Sequence, residues 1–136
     1  MNGTKARGEL LRFLVVGITT VVIDWFVYRL ILFAGVIPAP AKAISFFAGT
    51  VFAFVANRHW TFAVGGKANA GEAARFFAVY GATLTVNVGV NSLVLALAAH
   101  YSRALIVAFV IATGVSATLN FLGMKFLVFR NGATRA

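Results

Sequence analysis

Apolar residues fill four long stretches of the chain: Phe13 to Gly35, Pro40 to about Phe62, Phe76 to Ala99 and Ala104 to about Phe129. A helix of about 20 such residues crosses the hydrocarbon core of a bilayer. The pattern therefore predicts an all-α membrane protein with four transmembrane helices. The first stretch, followed by Ala39-Pro40-Ala41, has the outline of a cleavable leader. Its length and the three stretches after it predict a retained span instead.

Adding 63 to a residue number in the first half of the chain lands on a matching residue in the second, without a gap, from Arg12/Arg75 to Asn57/Asn120. Phe13/Phe76, Val16/Val79, Thr20/Thr83, Val27/Val90, Leu30/Leu93, Phe46/Phe109 and Thr50/Thr113 lie on the same offset. Valine and leucine matches mean little in so apolar a chain, whereas the Arg-Phe pairs, Thr20/Thr83 and Asn57/Asn120 carry weight. Residues 1–136 thus read as a single transmembrane domain made of two tandem helical hairpins, 12–62 and 75–129. Each copy has two spans, so both enter the membrane from the same side, as a parallel internal repeat. Between them, 63–74 contains Gly65, Gly66 and Gly71 with Lys67, Asn69 and Glu72, and reads as a flexible linker.

Composition supports this picture: 61% of the 136 residues are hydrophobic, too many for a soluble domain of this length. The net charge of +9 raises nucleic acid as a partner, but the basic residues stand singly or in pairs between apolar spans. Lipid phosphate is the better anionic neighbour, and no nucleic-acid partner is expected. Lys5, Arg7, Arg12, Arg58, Lys67, Arg75, Lys125, Arg130 and Arg135 fall on one side, against Arg29, Lys42 and Arg103 on the other. That bias places both termini in the cytoplasm. There is no cysteine, and His59 and His100 fall on opposite sides. Neither a thiolate site nor a zinc site is expected, and no cofactor is implied.

Asp24 is the only acidic residue inside an apolar stretch. A carboxylate there opposes insertion by roughly 2.5 to 3.5 kcal/mol, so it calls for a partner or a task. It lies about 18 Å along the helix from Arg12, slightly past mid-membrane. Thr20, Asp24 and Tyr28 share a helix face, and so do Thr83, Asn87 and Asn91 at the repeat offset. Six polar groups in two matching lines suggest a hydrophilic path; interhelical hydrogen bonding is the plainer alternative. In the second helix of each copy, Ser45, Gly49, Ala53 and Asn57, and Ala108, Ala112, Ser116 and Asn120, recur every four residues. These ridges suit close helix packing, with Asn57 and Asn120 either bonding a neighbouring backbone or facing the path.

At the cytoplasmic boundary Arg12-Phe13 and Arg75-Phe76 open the odd-numbered helices, while Arg58 and Lys125 close the even-numbered ones. Together Arg12, Arg75, Arg58 and Lys125 offer a place for an anionic head group, aided by positive helix N-termini. The alternative is ordinary snorkelling and orientation. Ser45, Ser92, Ser102 and Ser116 have no His or acid at an activating spacing, and the other two carboxylates, Glu9 and Glu72, lie outside the spans. No enzymatic activity is expected.

These residues resemble the GtrA-like proteins, small four-helix bacterial membrane proteins of polysaccharide and lipid-linked sugar metabolism. The resemblance covers nearly the whole chain. It rests on Arg12-Phe13, Gly17 and Asp24, on Asn57-Arg58-His59-Trp60-Thr61-Phe62, on Arg75-Phe76, and on Asn120 with Lys125-Phe126-Leu127-Val128-Phe129. The second basic and aromatic tail departs from the repeat: Arg58 and Phe62 match Lys125 and Phe129 at an offset of 67, about one helical turn more.

The resemblance implies a flippase of the bacterial cytoplasmic membrane that carries a polyprenyl-phosphate-linked sugar, typically glucose on undecaprenyl phosphate, to the outer leaflet for cell-envelope glycosylation. The basic residues would take the phosphate. Thr20, Asp24, Tyr28, Thr83, Asn87, Asn91, Asn57 and Asn120 would serve the sugar. Partners implied are that lipid, membrane lipids and a membrane glycosyltransferase. Four thin helices scarcely enclose a sugar, so a homo-oligomer, a dimer foremost, is also expected. Two other readings stay open: a non-transporting adaptor of a glycosyltransferase, and a small proton-coupled multidrug exporter.

Overall fold

The computed structural model describes residues 3–130. Arg135, counted above among the basic residues, lies outside them. The described residues form four long α-helices and no strand: α1 (Gly3–Phe33), α2 (Pro38–Ala56), α3 (Ala70–Leu97) and α4 (Ala104–Gly123). Two π-helical turns, Asn57–Thr61 and Met124–Val128, continue α2 and α4. The chain divides into two compact units, Met1–Gly66 and Lys67–Ala136. Each is a helical hairpin.

Three helical runs are long and apolar enough to cross a membrane: Gly3–Phe33, Ala70–Leu97 and Ala104–Val128. Their outward positions are large and apolar, as Leu14, Ile18, Trp25, Leu84, Leu93, Ile106 and Phe109 show. In water these faces would be a severe liability; in lipid they are the ordinary solvent-facing surface. The molecule is a membrane protein.

The first hairpin turns through a Schellman ending of α1. Gly35 takes φ +88, the Gly35 N–H donates to the Leu32 carbonyl at 3.0 Å and the Val36 N–H to that of Ile31 at 3.3 Å. A left-handed residue is needed there, and glycine adopts it without a Cβ penalty. Pro38 then opens α2, where its missing N–H leaves no bond unmade. The second hairpin turns through two consecutive tight turns instead, with Tyr101 N–H on Ala98 O and Ala104 N–H on Tyr101 O.

Helix α3 begins at Ala70, inside the segment read as linker, because Asn69 caps it. The Asn69 side chain accepts from the Glu72 N–H at 2.8 Å. Asn69→Ala is expected to remove about 1 kcal/mol from the second hairpin. Thermal unfolding of the purified protein would show it, and an unchanged midpoint would mean the cap is dispensable.

Candidate functional site

The polar line of α1 and the small ridge of α2 are the two sides of one seam. Ser45, fully buried, donates its hydroxyl proton to Asp24 Oδ1 at 2.7 Å. A Cβ placed on Gly49 would lie 3.3 Å from both the Thr20 methyl and the Thr20 carbonyl oxygen, and 3.5 Å from Asp24 Cβ. A residue without a side chain at this position favours the close approach of α1 and α2 beside the carboxylate.

The second hairpin repeats the seam with different atoms. Asn87 Nδ2 donates to Ser116 Oγ at 2.8 Å, and Thr83 Oγ1 lies 3.5 Å from its acceptor Asn120 Oδ1. Gly123 meets Val79 so closely that an added Cβ would sit 2.6 Å from Val79 Cγ1. Tyr28 and Asn91 are half-buried further along the same lines. Of the residues expected on a polar path, Asp24, Thr83, Asn87 and Asn120 therefore reach across to the neighbouring helix of their own hairpin. Thr20 turns its hydroxyl back to the Val16 carbonyl at 2.8 Å.

At the end of each hairpin away from its turn, the second helix widens. Phe62 N–H bonds Asn57 O at 2.9 Å, and Phe129 N–H bonds Met124 O at 2.8 Å, each five residues back rather than four. Such turns insert an extra residue and re-aim the side chains that follow. In the first π turn Asn57, Arg58 and Thr61 are buried, and Thr61 Oγ1 donates to Asn57 Oδ1 at 2.8 Å. In the second, Met124, Lys125 and Val128 are buried. Both turns close on a buried phenylalanine, Phe62 and Phe129.

The four basic residues expected to form one phosphate-binding group are thereby sorted into two kinds. Arg12 and Arg75 are exposed, next to the buried Phe13 and Phe76, since successive residues on a helix point about 100° apart. Arg12 Nη1 also donates to the Trp60 carbonyl at 3.2 Å, fastening α1 to the first π turn. Arg58 and Lys125 are enclosed by their own hairpins, only 2% and 6% exposed. Lys125 Nζ stands 5.8 Å from the centre of the Phe121 ring. Their long side chains do not snorkel outward; the π turn points them in.

Asn57 and Asn120 are also separated. Asn57 is the first residue of the first π turn, whereas Asn120 lies in α4 ahead of the second, whose first residue is Met124. The odd helices thus correspond at an offset of 63, but the π turns correspond at 67. In the seam Gly49 is answered by Ser116, which faces Asn87 as Gly49 faces Asp24.

Two residues set aside in the sequence as lying outside the spans belong to this region. Glu9 is 8% exposed and Glu72 4%. They were legible as a pair: Glu9-Leu-Leu-Arg12-Phe13 and Glu72-Ala-Ala-Arg75-Phe76 are the same five-residue pattern at an offset of 63, so the repeat begins earlier than Arg12.

Residues 12–135 match the model of the GtrA/DPMS transmembrane domain. The chain belongs to this family. Its members are generally non-enzymatic membrane proteins, and membership ties the chain to lipid-linked sugar metabolism. Over 121 residues it is 35% identical to the Bacillus subtilis (strain 168) protein described as uncharacterized membrane protein YngA, which covers 87% of this chain and 77% of the relative. No solved structure matches it. The GtrA/DPMS match takes in both seams, both π turns and both Arg-Phe pairs; Glu9 lies just ahead of it.

Proposed function

We propose that this protein moves a polyprenyl-phosphate-linked monosaccharide, glucose on undecaprenyl phosphate or a close equivalent, from the inner to the outer leaflet of the bacterial cytoplasmic membrane. The observation that carries the reading is the doubled basic end: an exposed arginine next to a buried phenylalanine, at the same end as a buried cation on a π turn, in both hairpins of a GtrA/DPMS chain. In each hairpin the exposed arginine, Arg12 or Arg75, meets the phosphate first. The seam groups Asp24, Asn87, Thr83 and Asn120 exchange their cross-helix bonds for bonds to sugar hydroxyls, assisted by Thr20, Tyr28, Asn91 and Asn57. No covalent step is needed.

In this reading α2 and its π turn form the fourth span. Together they run from Pro38 to Thr61, long enough at about 1.5 Å per residue to cross a core of about 30 Å. The basic ends and both termini face the cytoplasm, a membrane glycosyltransferase supplies the donor lipid, and a homo-oligomer, a dimer foremost, encloses the sugar.

Leaflet transfer of polyprenyl-phosphate-glucose in liposomes holding the purified chain tests this directly. Asp24→Asn is expected to keep the fold, because the second hairpin already carries Asn87 at the matching place, yet to reduce transfer at least tenfold. Arg12→Ala/Arg75→Ala should abolish it.

The bonds Ser45–Asp24 and Asn87–Ser116 favour one second reading, the membrane adaptor, in which the polar lines only hold the hairpins together. It predicts no transfer from folded protein and unimpaired sugar attachment by a partner glycosyltransferase in Asp24→Asn.

A further inference from the structure

Each hairpin buries one acid and one base at its basic end: Glu9 with Arg58 in the first, Glu72 with Lys125 in the second. Two burials of opposite charge, repeated in two units with the acids at one offset and the bases at another, do not arise from orientation in the membrane, which exposed Lys and Arg already provide. A lone buried charge is severely penalised, and among the described residues no buried side-chain nitrogen or oxygen lacks a hydrogen-bond partner. All four side chains have interaction partners.

The antiparallel geometry brings the members of each set to the same end of their hairpin. In the first hairpin Thr20 lies against Gly49 and Arg12 reaches Trp60, so the residues of α1 before Arg12 run alongside the π turn that holds Arg58. In the second, Asn87 meets Ser116, Thr83 meets Asn120 and Val79 meets Gly123, which carries the N-terminal turns of α3 alongside Met124–Val128.

We propose that Glu9 and Glu72 are place-holding counter-ions: each neutralises the buried cation of its own hairpin, Arg58 or Lys125, until the phosphate of the lipid-linked sugar takes its place. This rests on the lipid-carrying reading above and gives it a selectivity. A sugar-bearing lipid phosphate is a diester with one negative charge, so it replaces a carboxylate one for one and leaves the site neutral. The bare carrier phosphate is a monoester with about −1.5 to −2 charges at pH 7, and its exchange leaves an excess negative charge where water is scarce. The displaced Glu72 carboxylate has a resting place, because it stands in the first turn of α3, where the helix dipole favours negative charge. The two sites differ in character: Arg58 offers a planar fork suited to two phosphate oxygens, Lys125 a point charge.

Titration calorimetry on the full chain in lipid nanodiscs, with a short-chain prenyl-phosphate-glucose and the matching prenyl phosphate, tests the proposal. The wild type should prefer the diester. Glu9→Gln and Glu72→Gln should each tighten binding about tenfold by removing the internal competitor, and should narrow the preference by favouring the monoester more. Thermal unfolding supplies a second measurement that needs no ligand: Glu9→Gln/Arg58→Gln should be more stable than Arg58→Gln alone, because the double change leaves no unpaired charge. Simple addition of the two losses would overturn the pairing. Wild-type binding of the diester with unchanged affinity and preference in both Gln variants would overturn the counter-ion role and leave the lipid reading standing. A folded wild type that binds no diester would overturn both.

Discussion

Arg58→Ala is expected to destabilise the protein by about 3–5 kcal/mol, the range found when one member of a buried, paired set of charges is removed. The Arg58 guanidinium is 2% exposed, in a π turn whose neighbours Asn57, Thr61 and Phe62 are themselves buried. Alanine would strip the partners of that guanidinium, leave a cavity the size of a long side chain, and give α1 nothing charged to close upon. Arg58→Lys should cost less than half as much, because the second hairpin already folds around Lys125 at the matching place. Arg12→Ala, at an exposed site with one bond to the Trp60 carbonyl, should cost about 1 kcal/mol at most. Unfolding followed by circular dichroism in detergent separates the three. Equal losses for Arg58→Ala and Arg12→Ala would mean that the π turn does not enclose its cation.

Gly123→Leu should separate α3 from α4 and prevent the second hairpin from closing, and even Gly123→Ala should cost about 1–3 kcal/mol. The reason is geometric: the new Cβ would stand 2.6 Å from Val79 Cγ1, and valine in a helix has one strongly preferred rotamer and cannot step aside. Gly49→Ala should be milder, because its contacts to Thr20 are at 3.3 Å and a small shift relieves them. Gly17→Ala and Gly81→Ala have open space around the added carbon and should be neutral or stabilising by up to about 1 kcal/mol. A cycle of Gly123→Ala with Val79→Ala checks the cause: the valine change should recover most of the loss. If it recovers none, the glycine acts through something other than this contact.

Family membership, three of the four apolar spans and the pair of helical hairpins were legible in the sequence. They depend on composition, on length and on identities at a fixed offset, which one dimension records faithfully. The polar residues were legible too, but their relation was not. Thr20, Asp24 and Tyr28 on one helix, and Ser45, Gly49 and Asn57 on the next, looked like two faces with two purposes. The fold sets Asp24 and Ser45 2.7 Å apart, because antiparallel packing decides which stripe meets which. Gly17, prominent in the resemblance, touches nothing that a Cβ would disturb, and nothing in the structure explains it.

The one-turn slip of the second repeat shows why an ungapped offset misleads. A ridge with period four is unchanged by a shift of four, so Asn57 aligns with Asn120 as readily as the π turn at Asn57 aligns with Met124. Only the rare tail residues, Arg58 with Lys125 and Phe62 with Phe129, mark the true correspondence, and they marked it at 67. Glu9 and Glu72 lie outside the apolar stretches, where a carboxylate is ordinarily solvated. Nothing in their spacing says that the chain will fold back over them.

The sequence by itself determined that this chain is an all-helical membrane protein of repeated hairpins, because hydrophobic length and residue identity are local properties. Which charges are open and which are enclosed was decided only by tertiary structure. A π turn changes the direction of Arg58 and Lys125 by shifting hydrogen bonds from four residues to five, and the opposing helix then shuts them from water.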